Sequence, residues 1–81
     1  MTPSWRVPLT HPAWLVSFCV PDPARNGQNA YASEWFDSEG EARAQIMRLA
    51  AIYRRLSYSL RRFEPGESRA GEGTLVEESA Q

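Results

Sequence analysis

The segment at residues 14–20, WLVSFCV, has the alternation of a β-strand and is largely apolar on both faces. Because successive side chains of a strand point to opposite sides, the even-numbered residues share one face and the odd-numbered residues share the other. A strand that is apolar on both faces has to be covered on both, which is typical of the interior of a sheet. We therefore expect this strand to lie centrally, with a neighbouring strand on each side.

Two more strands are predicted, at residues 31–36 and 58–63. The first, YASEWF, follows a polar break at residues 21–30 that holds two prolines and an Asn-Gly pair, which together favour a loop. The second, YSLRRF, runs into the sequence EPG, whose proline and glycine are typical of a turn. The chain is thus expected to supply three strands.

A helix is predicted between the second and third strands, at residues 37–57. Ser38, followed three residues later by Glu41, has the pattern of a capping box at a helix N-terminus. Arg54 and Arg55 are expected in the last turn, where cations complement the helix dipole. Apolar residues recur at helical spacing and are expected to form the buried stripe, namely Ala42, Ile46, Leu49, Ala50, Tyr53 and Leu56.

The order strand, strand, helix, strand predicts an α+β fold, with a small three-stranded antiparallel or mixed sheet and one amphipathic helix packed on one face. A length of 81 residues leaves room for one domain. We divide the chain into a proline-punctuated arm at residues 1–12, a core domain at residues 13–64 and a flexible acidic tail at residues 65–81. Within the tail, TLVEE at residues 74–78 could pair as a short edge strand. The sheet face away from the helix is expected to leave aromatic surface open, which a homodimer could cover.

Charge and cysteine content argue against several classes of protein. The net charge is −1 and all nine basic residues are arginine, so the overall basicity typical of nucleic-acid-binding domains is absent. Cys19 is the single cysteine, which prevents a disulfide within the chain and suits a reducing, cytoplasmic location. The apolar run around Cys19 is far shorter than a membrane span, so no membrane association is expected.

We find no catalytic or metal-binding motif in the sequence. One histidine, His11, and one cysteine cannot form a structural zinc site. A nucleophilic pair of His11 with Cys19 is disfavoured, because a reactive cysteine needs an exposed, electropositive setting. Gly66 and Gly71 have the spacing of a phosphate-binding loop, but Glu72 stands where such a loop has lysine. We therefore predict a non-enzymatic protein that uses neither a metal nor a cofactor.

Two Arg-Arg pairs, seven positions apart, are the strongest candidates for an interaction surface. Arginine, tryptophan and tyrosine are enriched at the energetic centres of protein interfaces. The predicted partner-binding residues are therefore Arg54, Arg55, Arg61, Arg62, Trp5 and Trp35. Because Arg61 and Arg62 are adjacent in a strand, they are expected on opposite faces. Three interpretations stay open: a protein-binding surface, a nucleic-acid module that stacks bases and clamps phosphates, and solvated charge paired with nearby carboxylates.

The run from WLVSFCV to YASEWFDSEGEARAQIMRLAAIYRRLSYSLRRF resembles the small single-domain proteins encoded by phages and mobile elements of GC-rich bacteria, including the anti-CRISPR proteins. The likeness lies in size, acidity, a strand-helix-strand build and the lack of catalytic motifs. Because these proteins share no diagnostic motif, no functional residue is carried over. The resemblance implies a stoichiometric inhibitor with a protein partner, such as a CRISPR effector or another nuclease complex, which it blocks by steric or DNA-mimicking contact.

Overall fold

The computed structural model describes residues 6–21 and 29–79, and the structural statements below concern these residues. The elements in chain order are β1 (Ala13–Pro21), β2 (Asn29–Phe36), α1 (Glu39–Ile52), β3 (Ser57–Phe63) and β4 (Thr74–Glu78). The strands form one antiparallel sheet in the order β2-β1-β3-β4. The predicted α+β class is confirmed, with a correction to the strand count. The sheet has four strands instead of three, because residues 74–78 find a partner in β3.

Strand β1 occupies the interior of the sheet, as its apolar residues on both faces predict. It pairs with β2 along one side and with β3 along the other, so that Val16 lies between Glu34 and Leu60. Val16 and Leu60 have no exposed surface. Full burial of an apolar side chain of this size contributes roughly 1.5–3 kcal/mol to stability.

Helix α1 lies over β1 and β2 and closes the main hydrophobic core. Ala42 and Ile46 are its buried residues, and they pack with Trp14, Val16 and Leu60 of the sheet. The helix begins as predicted, because the side chain of Ser38 accepts a hydrogen bond from the backbone N–H of Glu41 at 3.2 Å. This cap satisfies one of the N–H groups that a helix N-terminus leaves without a partner.

The helix ends at Ile52, five residues before the predicted end. Tyr53 has the extended backbone angles φ −114° and ψ 116°, although its N–H still donates to the carbonyl of Leu49. Fourteen helical residues span about 21 Å, which is close to the length of about 23 Å spanned by the seven residues of β3. Arg54 and Arg55 therefore lie in the turn that leads to β3. Ala50 and Tyr53 are exposed, contrary to the predicted stripe.

The face of the sheet away from α1 is covered at one end by the chain itself. Phe63 lies on that face and is 1% exposed, and the ring of Trp35 meets it edge-on with 4.9 Å between centroids. The arm before β1 and the loop after β3 are joined by two backbone hydrogen bonds. Leu9 donates to the carbonyl of Glu67 at 2.7 Å, and Gly66 donates to the carbonyl of Leu9 at 2.8 Å. These two bonds tie the arm and the loop to each other beside the sheet.

Gly73 is the position where the loop returns to the sheet, and only glycine fits there. Its φ of +63° is a left-handed conformation that side chains disfavour. A Cβ at this position would come within 2.8 Å of both the carbonyl oxygen of Arg62 and the ring of Phe63. The loop therefore approaches Phe63 as closely as a backbone without a side chain allows.

We expect Gly73→Ala to lower the free energy of unfolding by about 2 kcal/mol or more, since it adds both a left-handed strain and a clash with a buried ring. Gly40→Ala is the matched control. Gly40 lies in α1 with no atom within 4 Å of an added Cβ, and alanine there should leave stability unchanged or raise it by up to about 1 kcal/mol. Chemical denaturation of the two variants measures the difference. Equal effects would contradict the close approach of the loop.

A polar clamp joins α1 to the far edge of the sheet. Arg43 donates from Nη1 to Oε1 of Glu77 at 3.2 Å and from Nε to Oε2 of Glu39 at 3.1 Å. The hydroxyl of Tyr58 donates to Oε2 of Glu77 at 3.0 Å. The hydrogen bond from Tyr58, together with the nearby guanidinium of Arg43, holds the pKa of Glu77 below its ordinary value of 4.5. The same hydrogen bond raises the pKa of Tyr58.

The lowered pKa of Glu77 predicts a pH-dependent stability. A carboxyl whose pKa is lower in the folded state stabilises the fold above its unfolded pKa, and this stabilisation is lost as the pH falls through the folded value. Glu77→Gln should therefore lower the melting temperature at pH 7, and the difference from the wild type should shrink as the pH falls below about 4.5. Glu78→Gln, on the opposite face of β4, is the control that should show no such convergence. Thermal melts between neutral and acidic pH provide the test.

Candidate functional site

The turn after α1 presents the first Arg-Arg pair to solvent. Arg54 and Arg55 are exposed, and among the described residues neither guanidinium makes a hydrogen bond or an ion pair. Ile52, which precedes them, is 69% exposed, and Tyr53 is exposed as well. We call these four consecutive residues, 52–55, the arginine turn. It combines an aliphatic, an aromatic and two cationic side chains, all available to a partner.

Both arginines of the second Arg-Arg pair contact other residues of this chain. Arg61 donates from Nη1 to the carbonyl oxygen of Glu72 at 3.1 Å, on the face away from α1. Arg62 lies on the helix-covered face, where its Nε is 2.8 Å from Oε1 of Glu64 and its guanidinium is 5.5 Å from the ring centroid of Trp14. The two side chains thus point to opposite faces, as expected from the sequence. Each already has a partner within the chain.

The two tryptophans predicted to bind a partner have different positions. Trp35 is half-buried and packs edge-on against Phe63, and the guanidinium of Arg69 is 5.3 Å from its ring centroid. Trp5 lies outside the described residues. The structure therefore brings Arg54 and Arg55 together in one exposed turn and places Trp35 in a packed cluster at the other end of the sheet.

A shallow depression of about 650 Å³ lies in the uncovered part of the sheet face away from α1. Its lining is rich in hydroxyl groups, and the hydroxyls of Ser17 and Ser33 are 3.2 Å apart across β1 and β2. Tyr31 borders the depression and is 77% exposed. The hydroxyl-rich character of this surface was not predicted from the sequence, although Ser17, Ser33 and Ser59 each lie in one of the three predicted strands. The serines that line the depression are Ser17, Ser33, Ser57, Ser59 and Ser79.

Neither of the reactive groups considered from the sequence forms a catalytic pair. His11 precedes β1 and makes a contact of 3.0 Å with the hydroxyl of Thr10. Cys19 lies six residues beyond Ala13, the first residue of β1, and a rise of about 3.3 Å per residue separates these two positions by roughly 20 Å. His11 and Cys19 are therefore too far apart to act together.

The acidic and metal-ligating side chains and the helix of residues 6–21 and 29–79 bear on two further classes of protein. No group of three or more histidine, cysteine or acidic side chains gathers closely enough there to hold a metal ion. No helix in the same part of the chain has the length and apolar character needed to cross a membrane.

Comparisons with known proteins identify no relative of this chain. No family model matches it, and neither the curated proteins nor the solved structures contain a match. The proposed function is therefore inferred from the exposed arginine turn.

The structure predicts that the exposed arginines and the packed tryptophan respond differently to truncation. Arg54→Ala combined with Arg55→Ala should change the free energy of unfolding by no more than about 0.5 kcal/mol, because both side chains are exposed and neither has a partner among the described residues. Trp35→Ala should lower the free energy of unfolding by about 2 kcal/mol or more, since it removes a half-buried ring that packs edge-on against Phe63. Urea denaturation of both variants checks this. A double arginine variant as unstable as the tryptophan variant would mean that the arginine turn is structural.

Proposed function

We propose that this chain is a small non-catalytic inhibitor that binds a protein partner through the arginine turn. The observation that carries the proposal is the exposure of Arg54 and Arg55, which have no carboxylate partner within residues 6–21 and 29–79, beside exposed Ile52 and Tyr53. An arginine forms two parallel hydrogen bonds with a carboxylate, so an unpaired arginine pair favours an acidic surface on the partner. Tyrosine and arginine are also residue types that dominate the binding energy of protein interfaces.

The partner in this proposal is a nucleic-acid-handling complex, such as a CRISPR effector or another nuclease complex. The resemblance to small proteins of phages and mobile elements supports this choice of partner class. A second support is the acidic character of β4 and of the residues before it, where Glu72 and Glu78 are exposed. Acidic side chains of an inhibitor can occupy the basic channel in which such a complex holds its nucleic acid. Inhibition would then combine anchoring by the arginine turn with competition for the channel.

A nucleic-acid-binding module is the second candidate, and it uses the same residues differently. An exposed tyrosine beside two arginines can stack on a base while the guanidinium groups contact phosphates. The exposure of Tyr53 next to Arg54 favours this alternative. The net charge of −1 opposes it, because phosphate contacts require positive charge and weaken steeply with salt. The two candidates therefore differ in whether binding survives removal of nucleic acid.

The test is an affinity capture from bacterial lysate with the tagged chain, with and without nuclease treatment, followed by identification of the captured protein. We expect a stoichiometric partner that persists after nuclease and whose nucleic-acid binding or cleavage is blocked by the purified chain. Arg54→Ala combined with Arg55→Ala should weaken the affinity at least about tenfold, which corresponds to about 1.4 kcal/mol. Arg54→Lys combined with Arg55→Lys keeps the charge but loses the bidentate geometry. Its affinity for the partner should therefore lie between those of the wild type and the double alanine variant.

Two outcomes would overturn this function. Full inhibition by the double alanine variant would show that the arginine turn is not the docking site. Recovery of nucleic acid alone, with an affinity that falls steeply as salt rises, would instead assign the chain to the nucleic-acid-binding class.

A further inference from the structure

The outer side of β2 is an edge that lacks the usual protection. Among the described strands β2 pairs only with β1, so its backbone groups on the far side have no strand partner. The pairing with β1 runs from Phe36 to Asn29 without a register shift. Glu34 is the one charged residue of β2, and the strand has neither lysine nor proline. A long, regular edge of this kind is a template for pairing with another strand.

The opposite edge of the sheet, β4, is protected in the ways that β2 is not. It has five residues against eight, and its register with β3 shifts between Leu60 and Arg61. It also carries two adjacent glutamates, Glu77 and Glu78. Short length, a bulge and charge are the devices by which proteins prevent edge-to-edge association. An additional strand is therefore favoured at β2 and disfavoured at β4.

The flank of α1 that faces the β2 edge can be assigned from the polar clamp. Arg43 reaches Glu77 on β4, so the Arg43 flank is turned toward β3 and β4. Ile52 is nine residues further along, and at about 100° per residue it lies about 180° around the helix from Arg43. Glu41, Gln45 and Arg48 fall on the same flank as Ile52, at intervals of four, three and four residues. This seam, residues 41, 45, 48 and 52, is directed toward the open edge.

We propose that the protein forms a two-fold symmetric homodimer in which β2 pairs antiparallel with β2 of a second copy. The two sheets would join into one continuous sheet, with both helices on the same side. Neighbouring strands are about 4.8 Å apart. The two-fold axis of this dimer passes midway between the two β2 strands. A helix centred between β1 and β2 therefore lies about 5 Å from the axis, and the two helices lie about 10 Å apart. Directly packed helices have interaxial distances of 8–10 Å, so the pairing of the strands brings the seams into contact.

A second copy of the chain fits both the outer edge of β2 and the seam of α1, because each of these surfaces is complementary to itself. A two-fold axis perpendicular to the sheet makes the helices antiparallel, which places the acidic start of one seam, Glu41, beside Arg48 of the other. The exposed side chain of Ile52 is covered in the same contact. In the strands, registers centred on Ala32 or Ser33 keep the two Glu34 side chains from facing each other, which avoids the repulsion of like charges in directly opposed positions.

The experiment is sedimentation velocity of the full chain over roughly 1–500 µM, a range that spans the affinities of modest interfaces. We expect a species with the mass of two 9.2 kDa chains. Ile52→Glu and Ala32→Glu should each raise the dissociation constant at least about tenfold, because the first places a charge in the seam and the second opposes like charges across the paired strands in either register. Arg48→Glu should also weaken the dimer, and Glu41→Arg in the same chain should restore it by exchanging the ion pair. Circular dichroism confirms that each variant is folded.

Two matched controls make the result decisive. Met47→Glu alters an equally exposed apolar residue of α1, 73% exposed against 69% for Ile52, but on the Arg43 flank. Leu75→Glu alters an exposed apolar residue on β4. Neither should affect dimerisation. The proposal is overturned if the wild type stays monomeric throughout the range, or if Met47→Glu dissociates the dimer as strongly as Ile52→Glu. Dissociation by Leu75→Glu alone would place the dimer contact at the other side of the sheet.

Discussion

The structure depends on one requirement, that the apolar side chains on both faces of β1 must be covered. Its even-numbered residues are covered by α1, through Ala42 and Ile46. Its odd-numbered side has no second helix, and the arm and the loop that ends at Gly73 close one end of that face around Phe63. A chain of this size buries only about 60% of the surface that it exposes when unfolded. The rest of that face stays open as the serine-lined depression.

The arginines show how the fold divides residues that look alike in the sequence. Arg61 and Arg62 have partners at Glu72 and Glu64, and they hold the loop and the end of β3 in place. Arg54 and Arg55 have no such partner in the described part of the chain, and they lie in the turn between α1 and β3. The proposed function rests on the free pair, whereas the proposed dimer rests on β2 and the opposite flank of α1. The two proposals share Ile52, which ends α1, and otherwise use different residues.

Much of the fold could be predicted from local patterns. The alternation in β1, the capping box at Ser38 and the turn signals around the strands are local properties, and the elements lie where these patterns place them within a few residues. The end of α1 could not be predicted in this way, because Tyr53 leaves the helical conformation within a segment whose apolar spacing continues to Leu56. The fourth strand was also undecided, since a short polar segment such as Thr74–Glu78 pairs only where β3 offers an edge. The serine-lined depression was missed because it joins residues from several strands.

The sequence by itself determined that this chain is an α+β domain with an interior β1 and one capped helix, because hydrophobic period and capping act over a few neighbouring residues. Only the tertiary structure decided which arginines are free, since ion pairing depends on which carboxylates the fold brings within reach. It also decided which edge of the sheet is protected and which flank of α1 faces that edge. Those features depend on strand order and on long-range contacts such as that between Arg43 and Glu77, which no local pattern encodes.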